Sequence, residues 1–332
     1  MITVRVPATT ANLGAGFDSL GMALSLYNRV SAQFSPALYI EIQNNSANMP
    51  TNTENLIYKS MVHFYREFGK HMPAVSIVQK DEIPISSGLG SSAACIVAGI
   101  MLANKLSGKN LPIDALLQIA ERLDGQPDNV APALLGGIVS SARRARKPLV
   151  FSKIPVSSEI TFVIITPELP PKTEEAAKVA TKVLPLAQRK KEPELPPKTE
   201  GAKVALPAQY KKEDVLHNIS RSALFIASMV NGEWDNLATA VQDKIHQPYR
   251  EKQFPHMQQL FVTAYYHGAK AVFLSGDGPS AIAIVKKENS PNFEEALMKS
   301  IKKLGKWSLT TIDADNEGAT YEETETPQPQ EQ

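Results

Sequence analysis

Three short runs of this chain hold residue types that could do chemistry. The longest is Pro84-Ile85-Ser86-Ser87-Gly88-Leu89-Gly90-Ser91-Ser92-Ala93-Ala94. Alternation of apolar and polar residues over 74–79 predicts a strand before it. An Ala, Ile, Val, Met and Leu pattern over 92–106, closed by Gly108, predicts a helix after it. Glycines let a backbone come close to an anion, and the first N–H groups of a helix lie free at the positive end of its dipole. The implied chemistry is phosphate binding. No Lys follows the second glycine, so this is not G-x-x-x-x-G-K-[ST]. Ala93 stands where G-x-G-x-x-G needs its third glycine, which weakens a dinucleotide-fold reading.

The second run opens the chain as Pro7-Ala8-Thr9-Thr10-Ala11-Asn12-Leu13-Gly14-Ala15-Gly16-Phe17-Asp18, after a short strand predicted over 2–6. The third is Leu274-Ser275-Gly276-Asp277-Gly278-Pro279-Ser280, between strands predicted over 271–274 and 281–285. Taken singly, both are ordinary turn chemistry: Asn, Asp and Gly adopt turn conformations readily, and a Gly-rich connection suits a hairpin.

In this order and spacing, the three runs resemble the signature loops of the GHMP kinase superfamily, and within it the homoserine kinase family. Asp124-Gly125-Gln126-Pro127-Asp128-Asn129-Val130-Ala131-Pro132-Ala133-Leu134-Leu135-Gly136-Gly137 adds a fourth matching stretch, and the similarity runs from residue 1 to about 312. The resemblance implies an α+β fold of two domains. The N-terminal domain would be like domain 2 of ribosomal protein S5 (1–152), the C-terminal one ferredoxin-like (153–313), with the site between them. It also implies MgATP-dependent phosphorylation of the hydroxyl of L-homoserine, a step toward threonine, by a cytoplasmic homodimer. Another small alcohol as acceptor, or a non-catalytic ATP-binding module, are the alternative readings.

Carried over position by position, the resemblance gives the triphosphate to residues 84–94 and the adenine side to Asn55, which could equally be a helix N-cap. Ser92 would bind phosphate or Mg²⁺. A hard cation also wants a carboxylate, for which Glu121 is favoured over Asp124. The acceptor would meet Asn12, Asp18, Gln126, Asp128, Asn129, Arg221, Arg250, Gly276 and Gly278. Arg221 and Arg250 suit a carboxylate by bidentate geometry. Asp18 suits an ammonium, and Asn12 and Asn129 the hydroxyl. Transfer itself would centre on Asp128, Asn129 and Ser92, with a general-base role for Asp128 left open. One departure stands out: Gln126 occupies the place where the family usually has His. A glutamine amide can still contact substrate but cannot carry a titrating proton.

Elements are needed to hold these loops. Helices are predicted over 55–68, 92–106 and 113–123 and strands over 38–42, 75–79 and 137–140 in the first half. The second half reads as strand 161–166, helices 215–230, 234–242 and 256–268, strands 271–274 and 281–285, helix 292–304 and strand 308–313. That β-α-β-β-α-β order, with extra helices, is ferredoxin-like.

At 332 residues with a formal net charge of +1, bulk electrostatics give no reason to expect a nucleic-acid or membrane-surface partner. Its lone cysteine, Cys95, lies in an apolar helical stretch and reads as a buried structural thiol in a reducing compartment. No signal peptide is apparent, and the longest apolar run, 93–103, is too short to span a bilayer. Arg143-Arg144-Ala145-Arg146-Lys147 reads as a solvated basic loop. Glu168-Leu169-Pro170-Pro171-Lys172-Thr173-Glu174 recurs at 194–200, so 168–213 is expected to be a tandem-duplicated surface insertion, with a lid as the alternative. The Glu, Thr, Pro and Gln content of 314–332 predicts a disordered tail.

Overall fold

The computed structural model describes residues 1–43, 49–145, 147–168 and 206–322. Most of the duplicated stretch, 169–205, therefore lies outside the described residues. The first sheet is built from β1 (Ile2–Ala11), β2 (Leu20–Phe34), β3 (Tyr39–Gln43), β4 (Val75–Asp81), β5 (Ile138–Arg144), β6 (Lys147–Ile154) and β11 (Thr320–Glu322). Its order is β11-β1-β2-β4-β3, with β5 paired to β2 and β6 to β5. Only β3 and β4 run parallel among these pairs.

Helices α2 (Ser91–Leu106) and α4 (Pro127–Leu135) pack on this sheet, α1 (Leu56–Glu67) packs on α2, and α3 (Ile113–Asp124) on both α2 and α4. Apolar residues cover nearly every side of α2, and twelve of its positions, from Ala93 to Asn104, are buried. A helix with apolar side chains all round belongs in a core. Gly99 lets α1 close on it, since a Cβ there would stand 2.5 Å from the Ile57 carbonyl oxygen. Cys95 is buried in the same helix, in contact with Asn28 and Gln79, and burial pushes its thiol up to about 12.

The second sheet comprises β7 (Ile160–Pro167), β8 (Ala271–Leu274), β9 (Ala281–Lys286) and β10 (Trp307–Ile312). It is antiparallel throughout in the order β10-β7-β9-β8. This is the ferredoxin-like arrangement. The two-residue period of a strand sorts its side chains between two cores. Phe162, Ile164, Phe273, Ile282 and Ile284 join the large core of the first sheet and of α5 (Lys212–Asn231). Val163, Ile165, Val272, Leu274 and Val285 face the other way, against α6 (Met257–Tyr266) and α7 (Ser290–Ile301). With both faces covered, these strands read as unbroken apolar runs. No helix among the described residues is long and apolar enough to cross a membrane.

The expected tail is corrected at 314–322. Ala314 bridges Leu24, and Thr320–Glu322 pair with Arg5–Thr3 of β1. Asp315 is 5 % exposed and accepts the Tyr27 hydroxyl and the backbone N–H groups of Glu317 and Gly318. Tyr321 donates its hydroxyl to the Met101 carbonyl. The first domain thus takes its edge strand from the far end of the chain. Composition missed it because a few specific hydrogen bonds, rather than apolar mass, hold the segment. Asp315→Ala leaves a half-buried phenol, the buried Gly318 N–H and the Glu317 N–H without their acceptor. It should cost about 2–3 kcal/mol in urea unfolding, and an unchanged midpoint would return the segment to a solvated appendage.

Candidate functional site

The phosphate loop has the geometry its sequence implies. Asp81 ends β4 and α2 begins at Ser91. Gly90, the N-cap, is in the left-handed conformation (φ 69°) and no side chain caps the helix. First-turn N–H groups are therefore left for a ligand. Ser87 is buried and donates to the Pro84 carbonyl (2.6 Å), while the Ser92 side stays exposed. Asp81 braces the loop from below by accepting the Ile83 N–H (2.9 Å) and bonding Ser91. Burial pushes its carboxyl up to about 6.

The other two loops are tied to this one. Thr9 N–H donates to the Leu89 carbonyl (3.1 Å), and Ser280 N–H to that of Ser87 (3.1 Å). Gly276 N–H donates to the Ala11 carbonyl (3.2 Å). Ser275 donates its hydroxyl to the Gly88 carbonyl (2.7 Å) and lies 2.9 Å from Thr10 Oγ1. The approach is so close that a Cβ on Gly88 would strike the Ser275 carbonyl, and one on Gly90 the Thr9 hydroxyl. Gly278 is confined by the Phe254 ring in the same way.

Beside this knot stand charged groups of both signs. The first loop turns through left-handed Asn12 (φ 72°) and Asp18 (φ 57°), and Asn12 Oδ1 accepts the Asp18 N–H (3.1 Å). Asp128 and Asn129 sit in the first turn of α4, where Thr9 Oγ1 donates to Asn129 Oδ1 (3.0 Å). Asp128 is 3 % exposed and its Oδ1 has no hydrogen-bond partner. Burial, then the charges of Asp18 and Asp124, push its carboxyl up to about 8. Asp124, at the end of α3, is pushed up to about 7 by burial. An acid so placed wants a cation.

The cationic side is Arg221 and Arg250. Arg221 projects from α5, its Nε buried without a partner, one turn from Asn218 and beside Ser222. Asn218 Nδ2 and Ser222 Oγ both donate to the Ala15 carbonyl (3.2 and 2.8 Å), so this helix grips the first loop. Arg250 ends the short helix Gln247–Arg250 and is 7 % exposed. Its Nε lies 3.0 Å from Asp277 Oδ1, which is also 3.0 Å from His246 Nε2. His246 stacks on Phe17 of the first loop at 4.5 Å between centroids.

The structure thus joins Asn12, Asp18, Gly276 and Gly278 of the loops to Asp128 and Asn129 of α4 and, through Asp277, to Arg250, while Arg221 stands on the helix that grips the first loop. Three expected residues stand differently. Asn55 is the N-cap of α1, with Oδ1 accepting from Ile57 and Tyr58 and Nδ2 donating to Pro50, so its side chain is engaged in the helix start. Glu121 is paired with Arg143 at 2.7 Å, and Arg143 also donates to the Gly125 carbonyl. Gln126 is the exposed N-cap position of α4, and its N–H is given to Asp124.

Residues that sequence reasoning passed over do much of the positioning. Asp243 accepts from Asn218 Nδ2 (2.6 Å), Ile245 N–H (2.8 Å) and His246 N–H (3.0 Å), joining Arg221's helix to Arg250's. The Asp243-x-x-His246-Gln247-Pro248 spacing, an Asp just before a helix with Pro in its first turn, was the available signal. Asp277 lay inside a loop singled out for its glycines alone.

Comparison with known proteins identifies the family. Family models for the GHMP kinases N terminal domain and GHMP kinases C terminal match residues 55–137 and 225–302. A homoserine kinase of Clostridium acetobutylicum is 37% identical, covering 96% of this chain and 99% of that relative. One from Caldicellulosiruptor saccharolyticus is 35% identical, covering 96% of each. The crystal structure of homoserine kinase from Cytophaga hutchinsonii superposes with a TM-score of 0.76 at 25% identity, over 96% of both chains.

Asp243→Ala should release the short helix and α5 from each other. We expect a loss of about 2–4 kcal/mol in chemical denaturation. A change within the error of the midpoint would show that Asp243 bears no such tension.

Proposed function

Since the chain belongs to the homoserine kinase family of the GHMP kinases, we propose that it moves the γ-phosphoryl group of ATP to the side-chain hydroxyl of L-homoserine, yielding O-phospho-L-homoserine. The carrying observation is an uncapped helix start whose loop is bonded to the first and third loops, the one joined to α4 beside the buried Asp128 carboxyl, the other paired through Asp277 with the buried Arg250. A zwitterionic amino acid bearing a hydroxyl meets all three demands at once.

In this reading residues 84–94 take the triphosphate through backbone N–H groups at the start of α2. Arg250 and Arg221 hold the acceptor carboxylate, and Asp18 and Asp128 its ammonium. Asn129, its Oδ1 already accepting from Thr9, turns Nδ2 to the acceptor hydroxyl and sets the line of attack. Phosphoryl transfer passes through a loose transition state in which positioning and charge stabilisation dominate. Mg²⁺, when bound, would supply charge neutralisation for the phosphoryl group in transfer, with the Ser92 hydroxyl among the groups that would hold it. Among the described residues no group of three His, Cys, Asp or Glu side chains forms a metal centre. The exposed Ser92 hydroxyl therefore fits an ion carried mostly by the nucleotide, with one or two protein ligands. Glu121 would be the second ligand by sharing its carboxylate with Arg143, and Asp124 is the other candidate. Exposed Leu216, Ile219 and Val230 on the outer face of α5 support a homodimer.

The direct test is ADP release with MgATP on L-homoserine, L-threonine, mevalonate and galactose. Turnover confined to homoserine is expected, and turnover on a different alcohol would move the substrate while keeping the site. The Asp128 carboxyl adds a pH signature. With its pKa raised to about 8, it is protonated at neutral pH in the empty site. Binding an ammonium favours the carboxylate, so the proton must leave. KM for homoserine should accordingly fall as pH rises from about 6 to 8. Asp128→Asn should flatten that slope and lower kcat/KM by about 100-fold; a variant keeping the slope would put the titrating group elsewhere. Ser92→Ala should lower kcat by about 10–100-fold and raise the Mg²⁺ needed for half-maximal rate. A normal Mg²⁺ titration would strip the serine of that role.

A further inference from the structure

The ion pair between Arg250 and Asp277 does more than neutralise a buried charge. We propose that Asp277 is a positioning residue for the acceptor: its carboxylate fixes the Arg250 guanidinium side-on, through Nε, so that the arginine's terminal nitrogens take the α-carboxylate of the amino acid. The proposal rests on the reading of Arg250 as the carboxylate clamp.

The geometry is specific. One carboxylate oxygen, Asp277 Oδ1, lies 3.0 Å from both Arg250 Nε and His246 Nε2, and Arg250 Nε also donates to His246 Nε2 at 3.4 Å. Both partners are buried, Arg250 at 7 % and His246 at 1 % exposure, whereas the Asp277 side chain keeps 30 %. Ionic hydrogen bonds among buried groups are directional and strong. His246 cannot swing away, because its ring is stacked on Phe17 and its backbone N–H is held by Asp243.

Asp277 is itself aimed by its turn. It stands between two glycines at positive φ, Gly276 (53°) and Gly278 (81°). Gly276 N–H is bonded to the Ala11 carbonyl, and Ser275 to that of Gly88. The carboxylate that orients the acceptor's arginine therefore grows from the turn that braces the phosphate loop. An arginine side chain has several rotatable bonds, and holding Nε in place leaves its planar fork with little freedom to lose on binding. Through Asp277 the acceptor's carboxylate is set in register with the donor's phosphates.

The test is a set of steady-state measurements on Arg250→Ala, Asp277→Ala, Asp277→Asn, Asp277→Glu and the Arg250→Ala/Asp277→Ala double variant. Asp277→Ala should raise KM for homoserine about tenfold or more and leave KM for ATP within about twofold. The nearly isosteric Asp277→Asn, the variant least disturbing to the fold, should do the same. Asp277→Glu should recover part of the loss. In the Arg250→Ala background the second substitution should add nothing, because a residue acting only through Arg250 has no effect once it is gone.

Four results overturn the proposal. KM values for both substrates rising together would mark a general loosening of the turn. Additive effects in the double variant would give Asp277 a role independent of the arginine. Asp277 variants with normal homoserine KM beside a damaged Arg250→Ala would leave the clamp standing and remove its orienter. A normal homoserine KM in Arg250→Ala would instead overturn the clamp reading, and this proposal with it.

Discussion

The site depends on one constraint: three loops far apart in sequence must be held at backbone contact. Ser275 Oγ to the Gly88 carbonyl, Thr9 N–H to Leu89 and Gly276 N–H to Ala11 are the bonds that do it. Each loop alone is a flexible run of small residues. Bonded together and partly buried, their backbones satisfy one another's donors and acceptors, as buried peptide groups must. The glycines follow from this, since Gly88 and Gly90 face neighbouring atoms where a side chain would have no room. A Gly-rich loop is thereby made stiff enough to hold charge, which transition-state stabilisation by fixed dipoles requires.

Charge organisation follows the same logic at the next distance out. The carboxyls of Asp124 and buried Asp128 are pushed up by desolvation, and the buried Arg250 guanidinium is paired with Asp277. Neither arrangement is cheap in free energy, because desolvating a charge costs more than most single contacts return. Such costs are concentrated where ligands bind. Away from the site, the second sheet shows the opposite economy: β7 and β9 divide apolar side chains between two dry cores and carry no buried charge of that kind.

Much of this was legible in the sequence, and the reason is local. Strand–glycine–helix punctuation around 84–94 and the hairpin at 271–285 place elements within a residue or two of those observed. β2 was not legible. Its fifteen residues include Asn28, Arg29 and Gln33, which break the apolar pattern. Their compatibility with a strand comes from partners elsewhere: Arg29 and Arg5 flank the Tyr27 ring at 5.4 and 4.7 Å, and Asn28 meets Gln79 and Cys95. α4 is hidden in the sequence because Pro127 and Pro132 lie within it. Pro127 occupies the N-terminal position that tolerates proline. Asp243 and Asp277 were illegible as positioning groups for the same reason as β2. Their roles are defined by what lies across the fold, and nothing in the adjacent residues encodes that.

The pairing of β11 with β1 bears on how the chain is made. Residues 320–322 lie against 3–5, so the two edges of that ladder leave the ribosome some 300 residues apart. At about 5–20 residues per second, the first strand waits on the order of tens of seconds for its neighbour. During that time the outer edge of β1 has unpaired backbone groups, a template for mispairing. The second sheet, by contrast, has all its strands between 160 and 312 and can form before the first is finished. The half of the molecule that emerges first is thus the last to be sealed, and its integrity during synthesis is entrusted to the end of the chain.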